Sequence, residues 1–490
     1  MGKSRVPEQI LNWIGGNETA ARAGKLFDKL NPATGQLLTR VARSQPEDVA
    51  NAVKAAKAAQ PAWGEMPPVK RGEILHEISN SVKQHREDVA HMVAAETGKS
   101  YKDALGETDA AIALGLFMAG EGQRLYGRTT TSGVPNKYAM TVRQPMGVAG
   151  LIIAANTPIA NVAWKVFPAL ICGNAAVLKA SEDAPATAWL FGKIAHQSGL
   201  PSGVLNIING FGEEAGAPLV SHHDVSVVSF TGSTGVGRRI AAETGARLAK
   251  ISLELGGKNP LVVCDDADLA NAVKWTLLSA FSNAGQRCAS GSRIIIFDTV
   301  YERFRDMLVA ATEKMKVGTS DGDDLGPVIN ERQLTNMLSA IHRARERGAV
   351  VLTGGHRLTD DEHRGGFYLA PTLIEGVNPQ HEISTTELFG PIGCLYRVSD
   401  FNEALSIANA SPYGLTACIH TRNLHRAVQF VQKVESGVAV VNAGTFGSEP
   451  HMPFGGVKQS GNGSREPGTE AIDIYSSLKD VYISIDPDQV

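Results

Sequence analysis

The chain has 490 residues, 43% of them hydrophobic and 20% charged, which excludes a disordered protein. Its 47 basic and 50 acidic residues leave a formal charge of −3, so no global field attracts nucleic acid or an anionic membrane. The length suggests roughly two to four domains, with ample material for large cores and no need of a disulfide or metal staple. The five cysteines are Cys172, Cys264, Cys288, Cys394 and Cys418. They are scattered, with no C-x-x-C pair, which leaves zinc-ribbon and thioredoxin readings without their motif.

In chain order, the first 16 residues hold no apolar run of signal-peptide length, and a cytoplasmic protein is expected. Ser44, with Glu47 three residues on, reads as a capping box. The helix it opens places Val49, Val53 and Ala56 on one face. Further helical regions are expected over 70–97 and 103–122. Residues 128–145 are polar and β-branched. With the tail at 475–485 they suggest an exposed strand pair that needs a partner subunit.

No charge occurs between Arg143 and Lys165, a stretch long enough to span a bilayer. Asn156, Pro158 and Asn161 in its centre mark it instead as buried protein core. From residue 146 short apolar runs at 148–154, 175–178, 204–208 and 225–230 alternate with helical stretches at 160–171, 185–198 and 212–221. A second series has runs at 261–264, 293–297, 417–420 and 437–441. Strands without polar alternation, separated by helices, imply parallel sheets covered on both faces. The fold class expected is α/β with two such domains.

Cys288 follows an amphipathic helix over 268–282 that ends at Asn283 and Gly285, so its thiol should lie on a loop. A reactive cysteine needs access and thiolate character, which the adjacent Arg287 would favour. The other four cysteines lie in or beside apolar runs and read as core. Glu254 sits at an apolar strand end, where a carboxylate is costly unless paired or useful. Gly256 and Gly257 after it permit close backbone approach. Two segments suit a dinucleotide. Val177 to Glu182 is a strand running into a turn with Lys179 and Glu182, and an acid after a strand can grip a ribose diol. Ser229 to Gly237 is a strand entering a glycine-rich helix start whose N–H groups suit a pyrophosphate. His222 and His223 are adjacent and do not easily face one metal, and no metal site is expected. H-E-x-x-H and P-loop motifs are absent from the sequence.

Taken in order, LELGGKNP with Glu254, NAGQRC with Cys288, ELFGPI with Glu387 and Phe389, and PFGGVKQSG from Pro453 to Gly461 resemble the aldehyde dehydrogenase superfamily. The resemblance runs over nearly the whole chain. It implies a Rossmann-like cofactor domain over 1–127 and 146–255, an α/β catalytic domain over 256–465, and a small β oligomerisation arm from 128–145 and 466–490. It implies that Cys288 is the nucleophile, Glu254 the general base and Asn156 the oxyanion donor. Lys179 and Glu182 match adenosine-ribose contacts, Gly232 and Ser233 the pyrophosphate contact, and Glu387 and Phe389 the nicotinamide-ribose contacts. Glu182 would repel a 2′-phosphate, which favours NAD, with NADP as the alternative. The partners implied are a small aldehyde and further copies of the chain in a homodimer or homotetramer. Departures from the family pattern at Ala155, Thr157 and Ala180 alter pocket walls.

By position, Asn161, Trp164, Arg287, Phe446, His451 and Phe454 are the substrate-pocket candidates. A free arginine or histidine there suits a semialdehyde, and the tail from Pro450 resembles the α-ketoglutarate-semialdehyde branch. The alternatives are an aliphatic or aromatic aldehyde pocket, a CoA-acylating enzyme and a non-catalytic binding protein.

Overall fold

The computed structural model describes residues 6–489. Among them, the apolar runs of the first series build a seven-stranded sheet. Its order is Lys250–Glu254, Val225–Thr231, Val148–Ile152, Ala175–Lys179, Leu205–Ile208, Asn12–Ile14, Asn17–Thr19. The first five strands pair in parallel, and the last two form an antiparallel edge. Successive residues of a strand point to opposite faces. Val148 and Ile152 therefore pack with Val49, Val53 and Ala56, while Ala149 and Leu151 pack with Val162 and Val166. Helices thus cover both faces, and this is why those strands carry no polar alternation.

The uncharged stretch resolves into strand Val148–Ile152 and helix Pro158–Ile171, both almost wholly buried. No helix among the described residues is long and apolar enough to cross a membrane. The helix at Pro46–Glu65 begins one residue later than the Ser44 box implies. The Ser44 hydroxyl is spent on Asn12 Oδ1 (3.0 Å), and the Gln45 N–H bonds Asp48 instead (2.9 Å). The helical region over 70–97 is two helices, Pro68–Gln84 and Arg86–Thr97, which break at His85. Residues 212–221 form only a wide turn, Gly212–Gly216, and a short helix, Ala217–Ser221.

The helix Pro185–Gln197 starts after Ala184, which has no side chain to cap it. Buried Glu96 does so from a distance. Its carboxylate accepts from the N–H groups of Ala186 (2.6 Å) and Thr187 (2.8 Å) and from the Thr187 hydroxyl (2.6 Å). Burial pushes the Glu96 pKa up to about 6 despite these bonds. Glu96→Ala should cost about 2–3 kcal/mol of stability, because three buried donors lose their acceptor. Thermal unfolding checks this, and an unchanged Tm would contradict it.

The second series forms another seven-stranded sheet. Its order is Val350–Thr353, Thr372–Glu375, Ile392–Val398, Gly291–Phe297, Asn259–Val263, Thr416–His420, Val438–Val441. All neighbours are parallel except the first pair. A third sheet projects from the body. Lys137–Pro145 pairs antiparallel with Ser476–Ser484 through nine residues, with Thr129–Thr130 at its edge. Tyr138, Leu478 and Tyr482 on it are exposed. The tail joins this sheet only from Ser476. Ala471, Ile472, Ile474 and Tyr475 before it pack into the core of the first sheet, and Glu466 is fully buried. The stretch 466–475 therefore does not lie in the projecting sheet, because its apolar side chains fill that core.

Candidate active site

Cys288 follows three consecutive left-handed residues, Asn283, Ala284 and Gly285, with φ of 54°, 52° and 66°. Two of these are not glycine, so the loop stores backbone strain. Its neighbours over-determine it. Asn259 Nδ2 donates to the carbonyls of Cys288 (2.8 Å) and Ser290 (2.9 Å), and Thr445 Oγ1 donates to that of Ala289 (2.6 Å). Cys288 alone of the five cysteines is half-buried, and the others are core. Arg287 does not make it a thiolate. Burial pushes the thiol up to about 12, Glu387 and Glu254 push the same way, and Arg287 opposes them only weakly.

Asn156 lies in the loop before helix Pro158–Ile171. Its Nδ2 donates to the Gln286 carbonyl (3.0 Å), and its Oδ1 accepts from Asn161 Nδ2 (3.3 Å). These bonds orient the amide and leave one of its two N–H groups to spare. Asn161 is therefore turned into this loop, toward Ala154, Asn156 and Thr157, and does not line the pocket as expected.

Glu254 ends the strand Lys250–Glu254 and is buried, and neither carboxylate oxygen has a hydrogen-bond partner among the described residues. Burial raises its pKa well above the carboxylate range, and Glu466 adds to this, against Lys165 and Arg465. Glu466 itself is fully satisfied by Lys165 Nζ (2.8 Å), the Ser229 hydroxyl (2.9 Å) and the Tyr475 hydroxyl (2.7 Å). Gly256 and Gly257 let three segments meet. A Cβ on Gly256 would sit 1.9 Å from Glu387 Oε2, and one on Gly257 would sit 2.4 Å from the Cys288 carbonyl. Glu387 accepts from the Gly257 N–H (3.0 Å), and burial pushes its pKa up to about 7. Phe389, two residues on, takes a left-handed φ of 55°.

At the carboxyl ends of the first sheet lies a cavity of ≈ 1230 Å³. Ile152, Phe230, Val236 and Ile240 supply apolar walls, and Glu182, Arg239 and Arg332 supply charge. Such an edge is where open α/β sheets take ligands. Lys179 Nζ bonds Glu182 Oε2 at 3.0 Å. Burial raises the Glu182 pKa, but Lys179 and further hydrogen bonding leave it below the usual value. Ser233 precedes the helix Thr234–Ala246 without capping it through its side chain, so the first N–H groups stay available beside Gly232. These residues fit a dinucleotide.

Trp164, Phe446 and Phe454 pack with Cys288, Ala289 and Leu415 in one small cluster. The Trp164 and Phe454 rings lie 5.4 Å apart. The Arg287 guanidinium sits 5.1 Å over the Phe446 ring. Its Nε is buried, and among the described residues the guanidinium has no hydrogen-bond or ion-pair partner. His451 does not join this group. It is exposed and faces Glu449 at 3.6 Å, which turns its ring to the surface and away from the aromatic cluster.

Sequence reasoning missed Phe211, Val236 and Arg239 in the cavity wall and the Lys165–Glu466 pair beside Glu254. A lysine inside an otherwise apolar helix was the one available signal for the pair. His222 and His223, whose adjacency argues that they do not easily face one metal, stack at 4.8 Å. With Asp224 they bring one ligand atom each within 4.8 Å of one another, although Lys57 already pairs with Asp224.

The aldehyde dehydrogenase family model, described as "Aldehyde dehydrogenase family", matches residues 19–481. The chain is 37% identical to an alpha-ketoglutaric semialdehyde dehydrogenase of Bacillus subtilis, over 98% of this chain and 99% of that one. It is likewise 37% identical to a mitochondrial benzaldehyde dehydrogenase of Antirrhinum majus, over 96% and 88%. A betaine aldehyde dehydrogenase of Staphylococcus aureus, solved with NAD+, superposes with a TM-score of 0.95 at 30% identity, covering 98% of this chain and 96% of that one. Family and fold agree: the chain belongs to the aldehyde dehydrogenase family and is an NAD(P)-dependent aldehyde-oxidising enzyme.

Proposed function

We propose that this enzyme oxidises an aldehyde bearing a carboxylate at its far end, with NAD as the preferred cofactor. The observation that carries the substrate reading is Arg287. Arg287 is half-buried, its Nε is buried with no hydrogen-bond partner among the described residues, and its guanidinium only stacks on Phe446, so a bidentate substrate carboxylate would satisfy it. Burial lowers the Arg287 pKa, while Asp103 and Glu107 oppose this and help keep it charged. The aromatic walls at Trp164, Phe446 and Phe454 suit the methylene chain between the two ends. The similarity to two semialdehyde dehydrogenases supports the same reading.

Each residue then has a task. The Cys288 thiol gives its proton to solvent water, the Ala289 N–H favours the resulting thiolate, and the sulfur then bonds the carbonyl carbon as the C=O π pair moves onto the oxygen. The spare Asn156 N–H meets the oxyanion of the thiohemiacetal, an interaction worth about 3 kcal/mol. When bound, NAD supplies the hydride acceptor that turns the thiohemiacetal into a thioester. Glu182 and Lys179 would hold its adenosine ribose, the Gly232–Ser233 helix start its pyrophosphate, and Glu387 with Phe389 its nicotinamide ribose. Glu254 takes a proton from water, which attacks the thioester and frees Cys288. A CoA-acylating enzyme would need no such base. The cofactor unit is assigned to 1–127 and 146–255, and the catalytic unit to 256–465. The exposed sheet of Lys137–Pro145 and Ser476–Ser484 is assigned to contact with a second copy, in the cytoplasm.

A panel of 5-oxopentanoate and its uncharged counterpart pentanal, each with NAD and NADP, tests this reading. The account expects a higher kcat/KM for 5-oxopentanoate and for NAD. Glu182→Gln should narrow the NAD-to-NADP ratio by about tenfold, since a like charge beside a 2′-phosphate is lost. Equal rates on both aldehydes would reject the carboxylate reading and favour a plain apolar pocket.

A further inference from the structure

The side chain of Asn156 is oriented by Gln286 and Asn161, but the backbone of its loop needs further anchors. It joins the strand Val148–Ile152 to the helix Pro158–Ile171, and Thr157 gives that helix no side-chain cap. Two charged groups from elsewhere do this work. Lys99 Nζ donates to the Asn156 carbonyl at 2.9 Å. Glu107 Oε1 accepts from the N–H groups of Ile159 (3.0 Å) and Ala160 (3.4 Å), the first free donors of the helix. The two side chains join each other at 2.6 Å, and each is only 6% exposed. Apart from Lys99, the Asn156 carbonyl has one neutral partner, Asn283 Nδ2 at 3.2 Å.

A buried ion pair is a poor source of stability, because desolvation offsets the attraction. What this one supplies is geometry. Its positive end fixes the peptide of Asn156 itself, and its negative end fixes the helix turn three residues later. The Asn156 amide is thereby set against the Gln286 carbonyl of the cysteine loop. An oxyanion donor must lie near 3 Å from where the charge develops, so a small displacement is expensive.

We propose that Lys99 and Glu107 are positioning residues that act through Asn156, holding its amide where the thiohemiacetal oxyanion forms. This rests on the assignment of Asn156 as that donor. Neither residue touches the reacting atoms.

The test is a double-mutant cycle on the full-length enzyme with NAD and 5-oxopentanoate. Glu107→Gln, the pair Lys99→Met/Glu107→Gln and Asn156→Ala are made singly and combined, with kcat, KM and Tm recorded. The pair variant leaves no orphan charge buried, and so guards against misfolding of the single one. The expected result is a fall in kcat of about 10- to 100-fold for either clamp variant, with KM changed far less. The same substitutions should cost nothing further in the Asn156→Ala background. Fully additive losses, an unchanged kcat, or losses that only follow the fraction unfolded would overturn the proposal while leaving Asn156 its role. If Asn156→Ala alone leaves kcat unchanged, the donor assignment fails and the proposal falls with it.

Discussion

Replacing Glu254 by glutamine should leave one turnover of NADH per site and then almost none. The steady rate should fall by about 100- to 10,000-fold, the usual contribution of a general base. The first stage needs Cys288, Asn156 and bound NAD, and only hydrolysis of the thioester needs the glutamate. Cys288→Ala should lose both stages. Rapid mixing with absorbance at the NADH band separates these outcomes. A multiple-turnover trace from Glu254→Gln at the native rate would remove Glu254 from the mechanism. The variant should also fold well. Among the described residues the carboxylate has no hydrogen-bond partner, and its pKa is raised, so its ionised form is the costly one in the folded protein. That raised pKa fixes the sign of the pH dependence. The base form of Glu254 accumulates only as pH climbs above the ordinary carboxylate range, so the wild-type steady rate should rise from acid toward neutral pH and beyond. A steady rate that declines over that range would contradict this.

Arg287→Met should reduce kcat/KM for 5-oxopentanoate by about 100-fold, the loss of a charge-assisted pair at about 3 kcal/mol. The selectivity over pentanal should collapse in proportion. Methionine keeps contact with the Phe446 ring and removes the charge, so packing is largely preserved. Steady-state kinetics on the two aldehydes is the check. A parallel loss on both would assign Arg287 to the shape of the cysteine loop, which it adjoins, and not to a substrate carboxylate.

The parts of the site that were legible in the sequence are those built from neighbours along the chain. Lys179 and Glu182 lie three residues apart and meet at 3.0 Å. Gly256 and Gly257 lie just after Glu254 and were legible there, although the contacts their missing Cβ atoms permit, with Glu387 and the Cys288 carbonyl, are remote in sequence. The four buried cysteines followed from the apolar runs around them. Interactions between remote segments were not legible. Lys99 reaches a carbonyl 57 residues on, and Lys165 meets Glu466 across 301 residues. Nothing in local composition encodes such pairings. The state of Cys288 was misread for a related reason. Arg287 is next to it in sequence and does favour the thiolate, but burial and two carboxylates from remote segments outweigh that neighbour. In the fold, the parallel strands were visible as unbroken apolar runs. The antiparallel strands Asn12–Ile14, Asn17–Thr19 and Val350–Thr353 were not, because strands of three or four residues are too short to show that pattern.

The central claim is a covalent acyl group on Cys288 that Glu254 releases. Mixing Glu254→Gln enzyme with NAD and 5-oxopentanoate, quenching in acid and mapping peptides by mass spectrometry tests it directly. The account predicts one glutaryl group per chain, on the peptide carrying Cys288, with Cys172, Cys264, Cys394 and Cys418 unmodified. No adduct, or an adduct on any of those four, would contradict it.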